Sequence, residues 1–251
     1  MFPLQMDLLC AIIVARGDFV EKWNFNKKAI LWDLDDTLHS RVEAARKVFP
    51  GMFRQCLYEN RSDAFIDEAV AYMMTQIRRK SMVHEDAFQA LLARYPSDKP
   101  YVREECVSYY YMHIRDFAVP FAETMEIIRK LKAQGVKMAI VTNITPELLE
   151  HQHKKVEMLG IAPLFDAIVY SAEVGAHKPD RRIYDHAAAL LGVSNADCLF
   201  VGDDPDSDVA GALAADMEVV WLDRWNCGDR FAGNDRVHRV QTAAEYFSNV
   251  R

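Results

Sequence analysis

Asp33, Asp35 and Asp36 follow directly on the apolar run Ala29-Ile30-Leu31-Trp32. A second acidic group, Asp203, Asp204, Asp206 and Asp208, follows Cys198-Leu199-Phe200-Val201-Gly202. Thr142 and Asn143 close the apolar run 136–141, and Lys178 stands in a polar loop after the run 167–170. Carboxylates gathered in one cleft repel one another and raise each other's pKa values. A hard divalent cation bound through oxygen relieves that repulsion, and Mg²⁺ suits carboxylates that act together with a phosphate.

The elements that must bring these residues together are legible as a rhythm. The runs 29–32, 136–141, 167–170, 198–201 and 219–222 are nearly unbroken apolar stretches, the pattern of strands buried on both faces of a parallel sheet. Helical spacing fills the gaps: 121–134 with Gly135 as its stop, 146–159 with Pro146 at its start and Gly160 after its end, 181–191 before Gly192, and a short stretch over 209–215. Strand–helix alternation predicts an α/β fold with a doubly wound, mostly parallel, Rossmann-like sheet. Residues 39–118 interrupt it. They contain no strand run and read as helices with breaks near Pro50-Gly51, Arg61-Ser62, Ser81 and Tyr95-Pro96. The expected division is an N-terminal extension over 1–28, an α/β core over 29–38 and 119–251, and a helical cap over 39–118 inserted after the first strand. Ligands bind at the carboxyl ends of the strands in such a sheet, which is where the polar clusters fall.

Four motifs in order carry a resemblance to a known family. Asp33-Leu34-Asp35-Asp36-Thr37-Leu38 after a strand, Thr142 at a strand end, Lys178 in Gly175-Ala176-His177-Lys178-Pro179-Asp180, and Gly202-Asp203-Asp204-Pro205-Asp206-Ser207-Asp208 together resemble the haloacid dehalogenase-like hydrolases over residues 29 to about 223. The resemblance implies the phosphatase branch with a helical cap. It makes Asp33 a nucleophile that accepts a phosphoryl group and Asp35 an acid and then a base. Lys178 neutralises charge in the transition state, and Thr142, with the Asn143 backbone, binds phosphoryl oxygens. Mg²⁺ is implied as cofactor, on the Asp33 carboxylate, the Asp35 backbone carbonyl and Asp203, with Asp208 behind them or reaching the metal through water. Asp36 and Asp206 read as structural or solvated. Dehalogenases of this family lack an acid at the position of Asp35, because a departing halide needs no proton, so the D-x-D pattern favours phosphate chemistry.

The expected activity is hydrolysis of a small phosphorylated metabolite through an aspartyl-phosphate. A phosphomutase with the same motifs and a non-catalytic binding protein on the same fold are the competing readings. Sugar phosphates, nucleoside monophosphates and flavin mononucleotide all fit at this level. The 251-residue chain is 51% hydrophobic, with 37 acidic against 30 basic residues and a net charge of −7. That balance speaks against a nucleic-acid surface. The run 8–15 is far shorter than the ~20 apolar residues that span a bilayer, and no basic region precedes it, so neither a membrane partner nor a signal peptide is expected. Five widely spaced cysteines without C-x-x-C point to thiols in a reducing cytoplasm. His151 and His153, two apart on a helix, face different ways and read as surface residues. A monomer or homodimer is expected. G-x-x-x-x-G-K-[ST], G-x-G-x-x-G and G-x-S-x-G are all missing, which disfavours nucleotide-cofactor and serine-hydrolase chemistry.

Overall fold

The computed structural model describes residues 26–77 and 83–249. Six strands form one sheet: β1 (Ala29–Trp32), β2 (Lys137–Thr142), β3 (Ala167–Tyr170), β4 (Cys198–Gly202), β5 (Glu218–Leu222) and β6 (Val237–Val240). Their spatial order is β3-β2-β1-β4-β5-β6, and every pairing is parallel. The chain starts in the middle. It moves outward on one side through β2 and β3, then crosses to β4 on the other flank of β1. The crevice at the carboxyl end of β1 is thus the point where the winding reverses, the place where open α/β sheets bind ligands.

Alternate residues of each strand feed two separate cores. Ile30, Trp32, Met138, Ile140, Leu199 and Val201 point to one face. Ala29, Leu31, Ala139, Val141, Cys198 and Phe200 point to the other. The first face is covered by α5 (Ala122–Ala133), α6 (Leu149–Leu159) and α9 (Ala243–Asn249), through Ile128, Leu131, Val156, Leu159 and Phe247. The second is covered by α7 (Arg181–Leu190) and α8 (Ala210–Ala214), through Ile183, Tyr184, Ala187 and Ala212. Gly160 ends α6 at φ 65°, a left-handed value that a Cβ would strain.

Between β1 and β2 lie α1 (Arg41–Cys56), α2 (Asp63–Gln76), α3 (Glu85–Arg94) and α4 (Arg103–Phe117), and no strand among the described residues. They share their own apolar core, which includes Phe49, Phe53, Ile66, Met73, Phe88, Leu91 and Tyr110. The two chain crossings to this insert run side by side: His39 bridges Pro120, and the Phe121 amide donates to the Leu38 carbonyl at 2.9 Å.

Three expectations change here. The break expected at Pro50-Gly51 does not occur, and α1 runs straight through both residues. A proline inside a helix costs about 3 kcal/mol, and burial of Val48, Phe49, Met52 and Phe53 around it outweighs that cost. Gly51 has its own reason: a Cβ there would meet the Tyr109 hydroxyl at 2.4 Å, so its bareness lets α4 approach α1. Strand β6, Val-His-Arg-Val, has no apolar run to reveal it because it is a half-exposed edge paired to β5 alone. Within 209–215 the helix proper covers only Ala210–Ala214, preceded by a wide turn over Pro205–Val209. The break expected at Ser81, and the extension over residues 1–25, lie outside the described residues.

Candidate active site

Asp33 is the first residue past β1, and its amide donates to the Val201 carbonyl at 2.9 Å, which fixes it against the end of β4. The backbone then turns sharply. Asp36 adopts φ 62°, and its carboxylate accepts from the Arg41 and Val42 amides at 2.8 and 3.3 Å and from Arg41 Nε at 3.1 Å. An aspartate tolerates this left-handed conformation better than most residues. Asp36 is therefore the joint that ties the loop to the start of α1.

Lys178 is drawn to the same point from the loop after β3. The Asn143 side chain grips its backbone, accepting from the Lys178 amide at 2.8 Å and donating to its carbonyl at 2.9 Å. Lys178 Nζ then lies 2.6 Å from Asp33 Oδ1 and 2.7 Å from Asp208 Oδ1. The other Asp208 oxygen accepts from the Asp203 and Asp204 amides, both at 3.0 Å, so one carboxylate ties the loop after β4 to Lys178. Trp221 Nε1 holds the Asp203 carbonyl at 3.1 Å. Asp204 caps the wide turn by accepting from the Asp206 and Ser207 amides, and Asp206 pairs with Arg230 at the surface. Asp36 and Asp206 both read from the sequence as structural or solvated; Asp36 holds the turn together, and Asp206 lies at the surface in its ion pair.

Gly202 makes room for Asp208. A Cβ at Gly202 would sit 2.4 Å from Asp208 Oδ2 and 2.7 Å from its Cβ. Gly202→Ala is therefore expected to push Asp208 off Lys178 and the two amides. A displacement of this size near reacting groups costs about 10²-fold in rate. Steady-state kinetics of the variant checks it, and near-wild-type kcat would contradict the placement.

Three of the acids and Lys178 differ in their electrostatics. Burial pushes the Asp33 carboxyl up to about 7, against the opposing pull of Lys178, and Asp208 adds to the rise. Burial, then Asp208 and Asp33, push Asp203 well above the ordinary range. Burial would lower Lys178, but Asp208 and Asp33 outweigh it and raise it. Burial would raise Asp35, but the Lys155 ammonium and the His39 hydrogen bond outweigh it and hold it well below the usual carboxylate range. Asp35 Oδ1 lies 2.6 Å from Lys155 Nζ and 2.9 Å from His39 Nε2, and Gln152 Nε2 donates to its other oxygen at 3.4 Å.

Asp33, Asp35, Thr142, Asn143, Lys178, Asp203 and Asp208 all line one cavity of about 170 Å³ at the sheet's carboxyl edge, so all seven expected residues converge. Thr142 is buried there, and its hydroxyl accepts from Gln152 Nε2 at 2.9 Å. Reasoning from motifs missed His39, Arg41, Gln152 and Lys155. A signal for two of them was present: Gln152 and Lys155 are three apart on the helix that follows Thr142, hence on one face of it. His153, read from the sequence as a surface residue, is exposed and pairs with Glu173 at 3.2 Å.

The residues fit a divalent cation. Asp33, Asp203 and Asp208 each offer a carboxylate oxygen, all within 4.8 Å of one another. Two of the three are raised by burial and mutual repulsion, which is the imbalance that a hard cation corrects. No helix among the described residues is long and apolar enough to cross a membrane.

Comparison with known proteins places this geometry. A glyceraldehyde 3-phosphate phosphatase of Methanopyrus kandleri is 29% identical over 83% of this chain and 89% of its own length. A phosphoserine phosphatase of Thermus thermophilus is 28% identical over 78% and 89%. The crystal structure of the putative HAD-hydrolase YfnB from Bacillus subtilis, bound to magnesium, shares the fold with a TM-score of 0.65 at 18% identity, covering 89% of this chain and 98% of that one. The model of the haloacid dehalogenase-like hydrolase family matches residues 27–216, which takes in Asp33, Thr142, Lys178, Asp203 and Asp208, and this chain belongs to that family.

Proposed function

We propose that the chain is a Mg²⁺-dependent phosphomonoester hydrolase that works through an aspartyl-phosphate on Asp33 and acts on a small phosphorylated metabolite. It is a phosphatase, as are the two relatives named above. One observation carries the reading: a buried Asp33 carboxylate meets Lys178 at 2.6 Å beside Asp203 and Asp208.

Asp33 attacks phosphorus through a carboxylate oxygen, and the P–O bond to the alcohol breaks. Thr142 donates to a phosphoryl oxygen, and Lys178 neutralises part of the charge that develops. Water then attacks the aspartyl-phosphate, inorganic phosphate leaves, and Asp33 is restored. Asp35, held ionised by Lys155 and His39, is set up to take the proton from that water. The proton for the departing alkoxide is delivered from the same side chain, which must take it up once substrate is bound. The Asp33 and Asp203 carboxylates with the Asp35 carbonyl would hold Mg²⁺, which would neutralise charge between an anionic nucleophile and an anionic ester. Asp208 keeps Lys178 and the Asp203 amide in place behind them. The insert over 39–118 acts as the cap that excludes water and selects substrate. Unpaired thiols at Cys56, Cys106 and Cys198 fit a cytoplasmic enzyme.

The test is release of inorganic phosphate from acetyl phosphate with Mg²⁺ and with excess chelator. Turnover that requires the metal supports the reading, and no turnover in either condition overturns it.

Metal and pH are linked through the same acids. The folded pKa of Asp33 lies above its unfolded value of 3.8, at about 7. Its contribution to stability is therefore complete below about pH 4 and is lost as pH rises through 7. The chelated protein is expected to melt at a higher temperature at pH 5.5 than at pH 8, and Asp33→Asn to flatten that slope. Mg²⁺ is expected to raise the melting temperature most at pH 8, where its ligands need not lose protons. Thermal melts at both pH values check this, and a chelated protein that melts higher at pH 8, with no change in Asp33→Asn, would contradict it.

A further inference from the structure

A second cavity, of about 180 Å³, opens beside the first and shares Asp35, Arg41 and Asn143 with it. Its remaining wall includes Tyr110, Tyr111 and Ile114 from α4 of the insert and Gln152 and Lys155 from α6 of the core. A phosphoryl group in the first cavity would place its leaving group here.

The wall carries several donors, among them Arg41, Lys155 and Tyr110. The Tyr110 side chain is 2% exposed, and its hydroxyl has no hydrogen-bond partner among the described residues. A buried polar group of this kind ordinarily has one. The Lys155 ammonium carries three N–H groups, and Asp35 Oδ1 takes one of them. Arg41 turns Nε and Nη2 toward Asp36 and still lines both cavities. Two of the acceptors on the wall are engaged: Asp35 by His39, Lys155 and Gln152, and the Asn143 amide oxygen by the Lys178 backbone. Two cations and an unpartnered hydroxyl, set against the one carboxylate of Asp35 on this wall, leave donors for an anionic acceptor. The space is below the roughly 300–1,000 Å³ of sites for drug-sized ligands. A fragment of a few carbons fits, whereas a nucleoside or a flavin ring system does not.

We infer that the substrate is the phosphate ester of a short hydroxycarboxylic acid, its carboxylate received by Lys155, Arg41 and the Tyr110 hydroxyl. The inference rests on the phosphatase reading above and adds the substrate class to it. It narrows the range of sugar phosphates, nucleotides and flavin mononucleotide to which the sequence points.

The test compares a matched pair, 3-phosphoglycerate and glycerol 3-phosphate, which differ by a carboxylate against a hydroxymethyl group. Acetyl phosphate, a small acyl phosphate without a free carboxylate, serves as the control. The wild-type enzyme is expected to prefer 3-phosphoglycerate in kcat/KM by about 10- to 100-fold, the range of one or two charge-assisted hydrogen bonds. Tyr110→Phe and Lys155→Met are each expected to reduce that preference at least about threefold. Lys155 also touches Asp35, so the readout is the ratio between the two esters and not the rate on either. Tyr110→Phe removes a hydroxyl without a partner among the described residues, so its melting temperature is expected to match or exceed that of wild type; this variant keeps the test valid even if Lys155→Met folds poorly. Equal or reversed preference by a wild-type enzyme that hydrolyses acetyl phosphate overturns this inference alone. An unchanged ratio in Tyr110→Phe and in folded Lys155→Met also overturns it. No turnover of any of the three compounds overturns the phosphatase reading itself, and this inference with it.

Discussion

Asp33→Asn is expected to lower kcat by about 10⁴- to 10⁶-fold, the range seen when a covalent nucleophile is removed from an otherwise intact site. The substitution keeps the shape of the side chain and deletes only the anionic oxygen that attacks. The surroundings tolerate the neutral form well. The Asp33 carboxyl is already raised to about 7 by burial, and Lys178 keeps a second carboxylate in Asp208 at 2.7 Å. The variant should therefore fold, bind phosphate esters and fail at the chemical step. Phosphate release from acetyl phosphate measures the loss, and a thermal melt shows that the fold survives. Activity above about a hundredth of wild type would remove Asp33 from the role of nucleophile.

Lys178→Met is expected to damage both stability and rate. The lysine side chain is 2% exposed and is the shared partner of Asp33 and Asp208. Its removal strands two buried carboxylates, and breaking a buried pair in this way costs about 3–5 kcal/mol. For a domain of this size, about 2–4 °C per kcal/mol converts that to a drop of about 6–20 °C in melting temperature. The rate on acetyl phosphate should fall about 10²- to 10³-fold, as for loss of one preorganised charge-stabilising donor. The contrast with Asp33→Asn is the informative part: one variant loses chemistry and keeps its fold, and the other loses both. A Lys178→Met protein as stable as wild type would mean that the Asp33–Lys178–Asp208 chain is not the electrostatic centre of the site.

Much of this was legible in the sequence, because the relevant signals are local. Strands β1 and β4 are buried throughout, β2 and β5 are buried after their first residue, and the edge strand β3 is buried at its ligand end, so all five carry short apolar runs, and each run ends where the backbone reaches the ligand edge. That fact alone brought Asp33, Thr142 and Asp203 together. Strand β6 escaped notice because an edge strand half open to solvent needs no such run. Pro50 misled because proline's preference is a local penalty, and tertiary burial around α1 overrode it. Lys155 and Gln152 escaped for a different reason. Their roles arise only when α6 packs near the Asp33–Asp36 turn, a contact between residues more than a hundred positions apart. Asn143 was legible as a site residue, but its side chain grips the Lys178 backbone, a contact that no motif spells out.

The paired crossings at His39–Pro120 and Leu38–Phe121 make the join between insert and sheet a narrow neck. Arg41 and Tyr110 belong to the insert, while Asp33, Lys178, Asp203 and Asp208 are held at strand ends and the loops after them. Substitutions at Tyr110, Tyr111 and Ile114 can therefore reshape one side of the second cavity without touching the four residues at the strand ends.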